Sequence, residues 1–274
     1  MRNSRKLQLV SLLFAATGTL IACTDSKATT VNADGQKSAD QPAKVDIASR
    51  TTSPLHTDLN KAKAEGKAVF VVVTGSGAAD VAKANTIAKG ATGIYKNSIV
   101  MEMNKDLTAN ADLVSEWGLT GAPVPLILSI SPKGFPTGGF ALENATAENV
   151  AALVPSPKLD EVYAGMYSKK PIFLVISKKS FIDKAGLLKN CEAAAKELKT
   201  SAVIVEVDID DPKEATFIQL LKLQSTSTAT TVMVFNATGQ TTGLFNGKAE
   251  AAELVTAATK VVAGCATGCA PGGC

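Results

Sequence analysis

The residues best equipped for chemistry are cysteines, and three of them crowd the C-terminus. The chain ends GCATGCAPGGC, placing Cys265, Cys269 and Cys274 among glycines and other small residues. Three thiols in that spacing suit a local disulfide with one thiol left over, or a soft cation such as Cu(I), or Zn with a fourth ligand. They also suit thiol–disulfide exchange, although no cation or helix start is fixed beside them to lower a thiol pKa. The spacing C-x3-C-x4-C is not a standard zinc pattern. Cys191 is different: it lies on an apolar helical stripe and reads as a small hydrophobe. Cys23 ends the first apolar stretch. The chain has one histidine, His56, read as a solvated residue, so a histidine-based metal or acid–base site is not expected. Gly75-Ser76-Gly77 at a helix start could cradle an anion with backbone N–H groups. Ser180 and Asp183 could form a nucleophile–carboxylate pair. Neither has a supporting base or lysine motif, and helix capping by Ser76, Asp80, Ser180 and Asp183 is the better reading. Lys178 and Lys179 read as a solvated loop, and Trp117, beside Leu113, as core.

Elements able to position such groups come in two sets. The 274 residues are 46% hydrophobic, 19% charged and 5% aromatic, which gives room for one large or two modest aliphatic cores. Ala68–Val73 is an apolar, β-branched run that reads as a buried strand. It breaks into TGSG and reaches Asp80, which opens a helical pattern to Lys89. Before it, Thr57 caps a short helix 58–65, closed by Gly66. After it come strand 98–103, helix 112–117 stopped by Gly118, a strand entered through Pro123, a hairpin in SPKGFPTGG, and a helix capped by Thr146. The same order returns about a hundred residues later. Ser156-Pro157 starts a helix; strand 172–176, the loop SKKSFID, helix 183–198, strand 202–207, helix 214–223, strand 231–235, the turn ATGQ and helix 249–262 follow. Glu102 and Glu206 hold matching places. Order, length and pattern recur together, which marks an internal repeat.

The stretch WGLTGAPVPLILSI resembles the part of thioredoxin-like proteins where a turn leads through a cis-proline into the central strand. The strand–loop–helix order before it is similar too. The resemblance implies an α/β chain of two tandem thioredoxin-like domains, residues 55–154 and 155–263, each a mixed sheet flanked by helices. That family works through Cys-x-x-Cys at the start of the first core helix. Here the four places hold Gly77-Ala78-Ala79-Asp80 and Ser180-Phe181-Ile182-Asp183, without cysteine. The loop proline is assigned to Pro123 in the first unit, and Thr230 stands there in the second. The expectation is a non-catalytic binding or interaction module, with thiol exchange or soft-metal handling at the tail as the alternative.

The N-terminus reads as an address. Residues 1–22 have a basic start, MRNSRK, and an apolar stretch too short and interrupted for a good membrane span. The end, Leu20-Ile21-Ala22-Cys23, resembles a bacterial lipobox, which implies Cys23 as the acylated N-terminus of a lipoprotein. Thr24 after it favours the outer membrane, facing the periplasm. Residues 23–54 carry no aromatic and no periodicity and read as a disordered tether. Residues 264–274 form the cysteine-rich tail. Without Arg2, Arg5 and Lys6, the 28 basic residues become 25, against 25 acidic. That balance argues against a nucleic-acid partner. The expected partners are the membrane, through the lipid, and another envelope protein.

Overall fold

The computed structural model describes residues 53–199, 201–222 and 228–261. The described residues all belong to one compact unit. Within that unit are two four-stranded sheets. The first half contains α1 (Pro54–Ala64), β1 (Ala68–Thr74), α2 (Val81–Ile94), β2 (Ser98–Asn104), α3 (Ala111–Glu116), β3 (Leu126–Ile130), β4 (Pro136–Ala141) and α4 (Ala147–Ala151). The second contains α5 (Pro157–Tyr167), β5 (Ile172–Ser177), α6 (Lys184–Glu197), β6 (Val203–Asp208), α7 (Ala215–Leu220), β7 (Thr231–Phe235), β8 (Thr241–Asn246) and α8 (Ala251–Thr259).

The strand orders are β2-β1-β3-β4 and β6-β5-β7-β8. In each sheet the first two strands are parallel and the other pairings antiparallel. β1 is apolar from Ala68 to Val73 because helices cover both sheet faces. Val69, Val71 and Val73 meet Leu113, Trp117 and Leu128 on one face, while Phe70 and Val72 meet Ala84, Ala88 and Val150 on the other. The second sheet divides in the same way. Phe173 and Val175 pack with Leu187, Cys191 and Leu254, and Ile172, Leu174 and Ile176 pack with Val162 and Phe217. Trp117 and Cys191 are core residues, as expected.

The repeat extends to irregular features. Both β3–β4 and β7–β8 ladders slip register at corresponding places, between Ser129 and Ile130 and between Val234 and Phe235. Both hairpins turn through a glycine of positive φ, Gly134 and Gly239. Glu102 and Glu206 also match in use: each stands on an edge strand and bonds the neighbouring helix, through Asn85 Nδ2 at 2.7 Å and Lys184 Nζ at 2.9 Å.

Several boundaries differ from the sequence reading. α1 starts at Pro54, not Asp58, and its cap is Ser53, whose Oγ accepts from Leu55 N at 3.2 Å. This is the same Ser-Pro start that opens α5. Ser53 Oγ also donates to Asn110 Oδ1 at 2.7 Å, and Ser156 Oγ donates to Glu214 Oε2. Each cap therefore ties its helix to the residue just before α3 or α7. α2 runs past Lys89 to Ile94. Gly90, inside it, lets α4 pack close: a Cβ there would come within 2.9 Å of Ala147 Cβ. His56 lies on α1 and is half-buried rather than solvated. Cys23, Cys265, Cys269 and Cys274, with the signal and tail assignments and residues 23–52 of the tether, fall outside the described residues; Ser53 and Pro54, assigned to the end of that tether, instead cap and open α1.

Candidate functional site: two strand-end loops and the junction between halves

In a sheet of this kind ligands gather beyond the carboxyl ends of the parallel strands. Those ends carry the loops 75–80 and 178–183, joined by the segments entering β3 and β7. The cis peptide bond lies at Val124–Pro125. Pro125, one residue before β3, is thus the loop proline, not Pro123. Thr230 is its counterpart, one residue before β7.

Neither predicted aspartate cap forms. Asp80 and Asp183 stand at the helix starts, but their side chains make no cap hydrogen bond. Asp80 is exposed, with φ 58°. Asp183 turns toward Thr230, whose N–H donates to Oδ2 at 3.0 Å and whose hydroxyl donates to Oδ1 at 2.8 Å. The reason is local. A proline before β7 would offer no N–H, whereas Thr230 brings one into a fully buried place, and Asp183 satisfies it. The carboxylate is committed to Thr230, so the structure does not bring Ser180 and Asp183 together as a catalytic pair. Ser180 instead lines a shallow cavity of about 500 Å³ with Lys179, Asp208, Asp210 and Asp211.

The glycine loop of the first half is also occupied. Ser76 is not the cap of α2, whose N-cap position is Asp80, and its N–H donates to an Asp106 carboxylate oxygen, so that donor is not open to an anion. The bonds from Ser76 hold the exposed Asp106 carboxyl below its usual value. Asp106 is itself aimed by a tight turn, its N–H donating to Asn104 Oδ1 at 2.9 Å. The second half repeats this turn with Asp210 N–H and Asp208 Oδ1 at 3.0 Å. There Asp210 reaches Lys178 Nζ at 3.2 Å, so Lys178 is paired rather than merely solvated. In both halves an aspartate following the second strand ties down the loop following the first.

The halves meet around the β3–β4 hairpin. Phe135 stacks on Tyr167 of α5 with ring centroids 4.8 Å apart, and Lys63 Nζ sits 5.5 Å above the Phe135 ring. Tyr167 hydroxyl donates to Pro136 O at 3.3 Å. Lys133 N–H donates to Asp160 Oδ2 at 3.0 Å. Beside these contacts opens a cleft of about 680 Å³, lined by Lys63, Tyr95, Phe135, Pro155, Asp160 and Glu161 among others. Asp160 is only 3% exposed, and its Oδ1 has no hydrogen-bond partner. Burial pushes its carboxyl above the usual value; Ser131 and the Lys133 N–H and charge oppose that rise. Sequence reading missed Asp160, because an acidic residue in the first turn of a helix looks like an ordinary helix-start preference.

Cys191, the cysteine among the described residues, is fully buried, and burial raises its thiol to about 12. No group of His, Cys, Asp and Glu among the described residues is placed to hold a metal ion. No helix among them is long and apolar enough to cross a membrane.

The strand order, the parallel first pair and the cis-proline before β3 define the class: the chain carries two tandem thioredoxin-like units, each an α/β mixed sheet flanked by helices. Similar solved structures include the first two thioredoxin domains of Saccharomyces cerevisiae Eps1p, at 12% identity over 74% of this chain and 96% of that one, with TM-score 0.27. The N-terminal domain of alkylhydroperoxide reductase AhpF from Enterococcus faecalis is 10% identical over 74% of this chain and 98% of its own, with TM-score 0.24. Zinc-bound human ERp44 is 9% identical over 64% of this chain and 49% of its own, with TM-score 0.30. The class rests on the strand order and cis-proline of this chain itself. No family model and no curated protein matches the chain.

Proposed function

We propose that this chain is an envelope lipoprotein whose two thioredoxin-like units bind a partner protein and carry out no thiol chemistry of their own. The observation behind this reading is the way both strand-end loops are occupied. Where a thioredoxin-type dithiol would stand there is no cysteine, and the neighbouring donors are taken by carboxylates: Ser76 N–H by Asp106, and Thr230 N–H and hydroxyl by Asp183. Such a site has no thiol nucleophile to offer. Anchoring through acylated Cys23, with residues 24–52 as spacer, rests on the lipobox-like Leu20-Ile21-Ala22-Cys23 and would place the units at the outer membrane, facing the periplasm.

Insulin-disulfide reduction by the full-length protein tests the main claim. The variant with Cys265, Cys269 and Cys274 all changed to serine is expected to show no turnover; turnover persisting in it would overturn the reading. Mass analysis of the N-terminal peptide tests the anchor: acylation at Cys23 is expected, and a soluble Cys23→Ser protein should accompany it. A second reading rests on the C-x3-C-x4-C tail, which offers thiol exchange or Cu(I) or Zn binding. Tight Cu(I) binding that disappears when residues 264–274 are deleted would favour it.

A further inference from the structure

One carboxyl at the junction is placed where neither of its charge states is fully satisfied. Asp160 sits in the first turn of α5, in the second half, and accepts a hydrogen bond from the backbone of Lys133, in the hairpin of the first half. One oxygen is thereby used. The other is buried and makes no hydrogen bond of its own, while the Ser131 hydroxyl lies beside the carboxyl. A buried ionised carboxylate with one oxygen bare is costly, whereas a protonated one keeps the Lys133 bond and sheds the charge.

We propose that Asp160 is a protonation-dependent latch between the two halves: the neutral carboxyl holds α5 against the β3–β4 hairpin, and the ionised carboxylate loosens that contact and opens the adjoining cleft.

The surroundings set the direction. From the hairpin, the Lys133 ammonium and the Ser131 hydroxyl favour the ionised form; from α5, the neighbouring Glu161 opposes it. Glu161 is itself engaged with Lys158 Nζ at 3.0 Å. Tyr95, after α2, and Tyr163, on α5, feel the Asp160 charge, which adds to the rise of their phenols above the usual value. Lys63 of α1 lines the same cleft, with its ammonium over the Phe135 ring. Burial is the largest influence on Asp160 and places its proton affinity in the docked state above that of a free aspartate. By linkage the docked arrangement binds the proton more tightly than the opened one. The latch is fully set below the ordinary aspartate value and is released as pH rises through the raised one.

Amide hydrogen exchange of the hairpin segment 131–137 in the full-length protein, corrected for intrinsic rates, tests this across the acidic to neutral range. Protection is expected to fall several-fold as pH rises through the titration of Asp160, followed independently by carboxyl carbon NMR. Asp160→Asn keeps an acceptor for Lys133 N–H without the charge, and should stay protected and flat with pH. Asp160→Ala removes the acceptor, and should be flat and weakly protected. A flat wild-type profile, or a pH dependence that survives in Asp160→Asn, would overturn the proposal.

Discussion

Asp183 and Thr230 show how one exchange at a loop constrains its neighbour. Placing a residue with an N–H before β7 creates a buried donor, and Asp183 answers it with two hydrogen bonds. Asp183→Ala should cost about 1–3 kcal/mol, the range for orphaning a buried polar group. Because both bonds belong to one network, adding Thr230→Val should cost less than the sum of the single changes; chemical denaturation of the four proteins measures the coupling. Cys191 makes a simpler case. With its thiol raised to about 12 and fully buried among Leu187, Ala194 and Leu254, it should resist thiol reagents until the protein unfolds. Cys191→Ser should destabilise by about 1–3 kcal/mol, because a stronger hydrogen-bonding group replaces a weak one in an apolar site. Labelling rates with and without denaturant, with the tail cysteines changed to serine, check the first expectation, and melting curves check the second.

At the scale of elements, the two halves end their helices differently. α1 and α3 are followed by Gly66 and Gly118 at positive φ; at the matching places after α5 and α7 stand Lys169 and Lys222, with φ of 50° and 51°. A side chain in the left-handed region is strained, and glycine is the usual occupant after a helix. Lys169→Gly and Lys222→Gly should therefore each raise stability by up to about 1 kcal/mol, read as a higher Tm. Gly165→Ala should act oppositely. Its Cβ would fall 2.8 Å from two carbons of Ile172, and overpacking of this kind costs about 1–3 kcal/mol. These pairs also show what was legible. Gly66, Gly118, Ser156-Pro157 and the apolar runs of β1 and β5 announce their roles by composition, so the fold class and most element positions could be read directly. Ser53-Pro54 looked like the end of a polar segment, because its bond to Asn110 lies 57 residues away. Assigning the loop proline within Ala122-Pro123-Val124-Pro125 depended on strand register, which local sequence does not carry. The loop aspartates passed for caps because capping is their commonest use near a helix start. The partner of Asp183, Thr230, is brought in by a tertiary contact 47 residues away.

For the molecule as a whole, the arrangement of two closed cores meeting at one hairpin governs how it comes apart. The single Trp, Trp117, is packed in the first half and reports on that half alone. Phe135→Ala removes the ring that lies between Lys63 and Tyr167. It should uncouple the halves, so that Trp117 fluorescence and far-UV circular dichroism, expected to coincide in the wild type, give separate unfolding midpoints. The Ser53 cap has a mechanical consequence as well. Among the described residues, a pull from the N-terminal side meets Ser53 first, whose hydroxyl is fastened to Asn110. α1 lies outside the sheet, whereas β1, flanked by β2 and β3, is hydrogen-bonded along both edges. Under tension α1 should peel away first, a sacrificial link that yields at low force and spares the central strand.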